Sequence, residues 1–184
     1  AALATAPALS ANEQLYRALT MLGSTNGAMR AAGIQLLRQH GDPSALTRAA
    51  GALAVMPADS QIALLGLLED RAITAAERLI LPLRNAGDPA VRAAALRALG
   101  TAGTAESVGP LAEAAARGTD EERGAARRAL RRISGQRVNE RMAELLHATA
   151  GDVRLELLRA IGDRGVSSLA PTVFALTDSA DEAL

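Results

Sequence analysis

The sequence predicts an all-α chain, a right-handed α–α superhelix of about five helical hairpins with a 31-residue period, and three observations carry that prediction. The first is composition: 49% of the 184 residues are hydrophobic, yet aromatics make up 1%, a single Phe and a single Tyr. A core built from Leu, Ile, Val and Ala lets helix axes approach closely and disfavours a sheet sandwich. The second is a phrase, DPAVRAAALRALGTAG at 88–103, that recurs at constant spacing. The third is punctuation, with Asp, Asn or Ser before each apolar stretch and a small residue after it.

The register follows from the Val91-Arg92 pair. Steps of 31 give Met29-Arg30, Ser60-Gln61, Val91-Arg92, Glu122-Arg123 and Val153-Arg154. Later columns read Leu36, Leu67, Ala98, Ala129, Ala160 and Leu37, Leu68, Leu99, Leu130, Ile161, apolar in every row. Gly41, Ala72, Gly103, Ser134 and Gly165 then suit a helix end and a tight reversal. First helices are expected to start near Asn26, Asp59, Asp88, Asp120 and Asp152, whose side chains can accept from free backbone N–H groups. Second helices are expected near Asp42-Pro43, Thr74, Ser107, Arg137 and Ser167, with Pro43, Pro110 and Pro171 in or near first turns. Their columns Ala49, Ile80, Leu111, Met142, Val173 and Ala52, Leu83, Ala114, Leu145, Leu176 are three apart and share a face. Pro82, inside its second helix, should kink it.

The chain thus reads as one unit over 1–184: a partial repeat at 1–24, repeats at 25–55, 56–86, 87–117, 118–149 and 150–180, and the opening of another at 181–184. Within the partial repeat Asn12–Leu22 corresponds to a second helix, and Ala1–Ala6 to a remnant of a first. Neither end carries a polar capping repeat, so we expect part of a longer array or a module capped by neighbouring domains. The start AALATAPALSA lacks the charged and apolar regions of an intact signal peptide.

All 20 basic residues are Arg and balance 20 acids, so no global field steers the chain to nucleic acid or acidic lipid. The absence of Lys points to a GC-rich bacterial genome. Without Cys there are no disulfides and no thiolate metal sites, and the compartment, cytoplasmic or extracytoplasmic, stays open. No apolar run approaches the ~20 residues of a membrane span.

DPAVRAAALRALG, with its echoes MRAAGIQLLRQHG and GDVRLELLRAIGDRG, resembles HEAT repeats, in particular the short class of about 30 residues found in phycobilin lyase subunits and in bacterial multidomain proteins. The Ser60-Gln61 row departs by lacking Arg. The resemblance implies a non-catalytic protein-interaction scaffold or spacer whose partner is another protein or a neighbouring domain of the same polypeptide. It does not imply nucleic-acid binding or membrane insertion. It also implies that Arg30, Arg92, Arg123 and Arg154 form a ladder, each bonding an acid or carbonyl of the adjacent unit. The alternative is an accessory subunit of a bilin-lyase-like enzyme, against which the lack of aromatic groups argues.

Enzymatic readings find little support. His40 and His147 stand near expected helix ends, where a lone His complements the dipole, and no His-Glu pair of the kind used by HEAT-fold di-iron hydroxylases occurs. HEAT-like DNA glycosylases use a basic face with aromatics, and this chain has neither. Asp120, Glu121 and Glu122 fit a first helical turn. No catalytic residue, cofactor or metal is therefore expected.

Between Arg117 and Arg141 eight arginines face four acids. Arg127 is the departure there, because its column otherwise reads Ile34, Leu65, Leu96 and Leu158; it must lay its stem over apolar neighbours or meet a partner. Candidate partner-binding residues are Arg127, Arg131 and Arg141 from this stretch, with Arg48, Arg78, Glu113 and Glu144 on the outward side of second helices. In a superhelix of this type those helices line the concave surface.

Overall fold

The computed structural model describes residues 9–135 and 137–178, and every regular element among them is helical. The expected remnant at Ala1–Ala6 and the opening of a further repeat at 181–184 lie outside the described residues. Helix α1 (Ala11–Leu22) starts on a capping box in which the Ser10 and Glu13 side chains each accept from the other's backbone N–H. Asn26 caps α2 (Gly27–His40), Asp42 caps α3 (Pro43–Ala50) and Asp88 caps α6 (Pro89–Ala102), as their side-chain chemistry predicts.

Other starts differ. Helix α4 (Ala58–Asp70) has Pro57 at its cap position and carries Asp59 inside the first turn, where the carboxylate meets the helix dipole. In α8 (Asp120–Arg132) the cap is Thr119, in a second capping box with Glu122. Helix α10 (Gly151–Arg164) has no side-chain cap, and Asp152 again lies in the first turn.

The segments expected as second helices contain α3, α5 (Glu77–Ile80), α7 (Val108–Arg117), α9 (Val138–Ala148) and α11 (Ala170–Asp178). At Pro82 the chain does not bend and resume as an α-helix. It changes to a 3-10 segment over Leu81–Asn85, with the proline near its start where no N–H is needed. This leaves α5 four residues long.

Helices α2, α4, α6, α8 and α10 pack each against the next, while α1 lies on α2, and α7 lies on α8, α9 and α10. Helix α6 is enclosed on nearly all sides: nine of its 14 residues are buried, from Val91 to Ala102. That enclosure suits its alanine content, since its polar residues are limited to Arg92, Arg97 and Thr101 and the rest leaves little face to offer water. Its closest approach is at Gly100, where an added Cβ would lie 3.0 Å from the Ala129 Cα of α8. At Gly103, which has an ordinary φ of -80°, space makes the demand: a Cβ would stand 2.4 Å from the Leu99 carbonyl oxygen.

Few polar groups are buried, and those few join one segment to the next. Ser60 of α4 donates its hydroxyl to the Leu22 carbonyl at 2.7 Å. Glu77, 6% exposed, accepts from the Thr104 backbone N–H and from the hydroxyls of Thr104 and Ser107. Three donors converging on one carboxylate fix the entry to α7 against the start of α5.

Candidate functional site

The arginine column beginning each first helix makes a recurring local contact. Arg30 donates to the carbonyls of Ser24 and Thr25, Arg92 to those of Ala86 and Gly87, and Arg154 to that of Thr149. Each guanidinium thus holds the loop that leads into its own helix. Gln61, which stands in this column without a charge, donates to the Leu53 carbonyl at 2.8 Å. Arg30 also reaches forward to Asp59 at 2.7 Å, and Arg92 pairs with Glu122. Arg123 instead turns back onto Asp120 within α8.

Arg127 meets a partner inside the chain. Its Nε and one terminal nitrogen fork onto Glu156 of α10 at 2.9 and 2.6 Å, and Arg159 donates to the same carboxylate. Glu156 is 6% exposed, and its own column otherwise reads Ala32, Ala63, Ala94 and Ala125. Two departures from two regular columns are therefore each other's complement. Burial alone would raise the Glu156 pKa, but the bonds to Arg127 and Arg159 outweigh it and hold the carboxyl below its ordinary value; the same bond raises the Arg127 pKa. The Thr119 backbone N–H, with Arg92, likewise lowers Glu122 against the effect of burial.

A further set of residues, not singled out by the repeat, closes first-helix C-termini. Arg71 donates to the Arg38 carbonyl of α2, and Thr101 to the Glu69 carbonyl of α4. Arg164 donates to the carbonyls of Leu130, Arg131 and Ile133 at the end of α8 and to Asn139. These are the carbonyls a helix leaves without intrahelical donors. The available signal was that Arg71 and Arg164 share one column, three periods apart, with apolar Ala102 and Ile133 between them.

The remaining candidates fall at separate places. Arg141 and Glu144 pair at 2.9 Å and line an open cleft of about 400 Å³ with Glu106 and Arg137. Glu113 lies in another of about 480 Å³, together with Arg84, Arg117 and Glu122. Arg131 lines a third with Arg132 and Arg164. Arg48 bonds Asn12 of α1 at 2.9 Å, and Arg78 is exposed without a hydrogen bond or ion pair among the described residues. The structure thus brings Arg141 and Glu144 together and distributes the others along α3, α5, α7 and α8.

His40 and His147 occupy the last turns of α2 and α9. Among the described residues no group of three or more His, Asp or Glu is placed to hold a metal ion, and no helix is long and apolar enough to cross a membrane. Comparisons with protein-family models, with characterised proteins and with solved structures find no significant match to this chain.

Proposed function

We propose that the chain is a right-handed superhelix of HEAT-like hairpins and acts as a non-catalytic scaffold or spacer that engages another protein or a neighbouring domain of the same polypeptide. The consecutive packing of α2, α4, α6, α8 and α10 supports the architecture, since each helix buries its apolar face on the next. One observation carries the function: the helices expected as second helices hold exposed polar side chains of mixed sign, Arg48, Arg78, Glu113, Arg141 and Glu144, of which the last three line open clefts. Such a surface suits charge-complementary docking of moderate affinity and lacks the aromatic anchors of tight interfaces.

The test is capture of a partner from the source cell by wild-type protein and by the R78E/E113R/R141E variant. Loss of the captured protein in the variant, with retention after R97E on α6, is the expected result. Equal capture by both would remove these residues from any interface. A change in visible absorbance on adding a stoichiometric linear tetrapyrrole would replace the scaffold reading with the lyase-subunit one.

A further inference from the structure

The cleft at the ends of α8 and α10 differs from the other charged clefts. It is an open cleft of about 470 Å³, and its wall includes Arg131, Arg132 and Arg164 with Ser134, Ser167 and Ser168. No carboxylate lines it, whereas Glu113 and Glu122 line the Arg84 cleft, and Glu106 and Glu144 line the Arg137 cleft. In the Arg137 cleft the two arginines are balanced within the wall, and in the Arg84 cleft two acids offset two of three arginines.

Here the balance is missing. Arg164 spends its hydrogen bonds on three carbonyls and an amide oxygen, so no acid among the described residues neutralises it. Its Nε is buried and has no acceptor. Burial lowers the Arg164 pKa, as expected of a cation enclosed without a counter-charge. Arg131 reaches Asp163 only at 3.9 Å, and Arg132, paired with Glu69 at 2.6 Å, keeps half its side chain exposed.

We propose that this cleft is a binding site for the dianionic phosphate group of a small phosphate monoester. Planar guanidinium forks match phosphate oxygens. The half-exposed guanidiniums of Arg131 and Arg132 supply the donors, while Arg164, whose own hydrogen bonds are spent, adds positive charge that no acid among the described residues neutralises. A bare phosphate leaves most of the volume empty, and the excess is where the organic part of the ester sits. The cleft shares only Arg131 with the candidate partner-binding residues, and Arg78, Glu113 and Arg141 do not line it.

The experiment is calorimetric titration of the whole chain with inorganic phosphate, glucose 6-phosphate, glucose and a phosphoseryl peptide at low ionic strength. Binding of glucose 6-phosphate and, more weakly, of phosphate, with none of glucose, is expected. R131Q/R132Q should weaken the ester at least tenfold, while R137Q/R141Q leaves it unchanged. Both variants alter ion pairs whose arginines are about half exposed or more, and a melting curve without ligand verifies that both fold. No ester binding at 10 mM (about the weakest affinity of interest), or equal affinity in wild type and R131Q/R132Q, overturns the proposal. Binding of the phosphoseryl peptide alone overturns the small-molecule assignment.

Discussion

The two faces of α8 are held by different chemistry. Toward α6 the contact over the later turns of α8 is one of small residues, Gly100 against Ala129, in a dry surround of Leu96, Leu99, Ala125 and Leu130, with the ion pairs Arg92–Glu122 and Arg97–Glu121 confined to the first turn of α8. Toward α10 it is ionic, with Arg127 and Arg159 converging on Glu156 and Arg164 lying over the end of α8. Both faces accept a neighbouring first helix. A dry contact tolerates no added volume but is indifferent to pH, whereas an ionic contact tolerates side-chain motion and depends on the carboxylate's charge.

The sharpest way to break the comparison is Gly100→Leu. Its Cβ lands on α8 backbone that cannot give, so we expect a loss of about 3 kcal/mol or more, read as a lower urea midpoint at unchanged slope. An unchanged midpoint would show that the α6–α8 approach is loose.

Next is Arg127→Leu, which restores the column's aliphatic residue but leaves Glu156 buried with Arg159 alone. The expected cost is about 2 kcal/mol, that of removing charged hydrogen bonds. Adding Glu156→Ala, which restores the other column, should recover that loss and give a chain at least as stable as wild type, because a hydrophobic replacement of a buried ion pair is often neutral or stabilising. A double variant no better than the single one would mean that the two departures are not complementary.

Acidification acts on both faces of α8, through Glu122 toward α6 and Glu156 toward α10, and a variant without Glu156 separates the two. Glu122 and Glu156 have folded pKa values below the ordinary 4.5, so their contribution is complete above that value and is lost as pH falls through the lower folded values. Thermal melts from pH 6 to pH 3 (roughly the carboxylate range) should show R127L/E156A losing less stability than wild type. Parallel curves would contradict the assignment.

The smallest effect has the opposite sign. Gly162 shares the column of Gly100, yet a Cβ there meets nothing within 4 Å. Gly162→Ala should therefore raise stability by up to about 1 kcal/mol through helix propensity, where Gly100→Ala lowers it.

Much of the helical plan was legible because it rests on local rules. Asn26, Asp42 and Asp88 cap helices since an Asx side chain needs only its own following backbone. Asp59, Asp120 and Asp152 carry the same chemistry but stand at the first or second residue of their helices, one or two positions past the cap, a shift that composition alone does not resolve. Pro82 was visible as a disturbance, though the choice between a kink and a 3-10 segment depends on packing around Leu81 and Leu83. At the candidate surface the sequence marked Arg127 as irregular without identifying Glu156, because the pairing crosses between helices at an offset of 29 residues rather than the period itself. Arg164 escaped for a related reason: its acceptors are backbone carbonyls, which leave no trace in the residue pattern.

The capping of first-helix ends has a direction. The carbonyls of α2, α4 and α8 are closed by Arg71 at the end of α4, Thr101 of α6 and Arg164 of α10, each from the next helix but one in the chain. As the polypeptide leaves the ribosome, the newest of these helices therefore waits for the next helix but one before its last turn is complete. Growth from the N-terminus leaves only one such end open at a time, so folding can keep pace with synthesis along the chain.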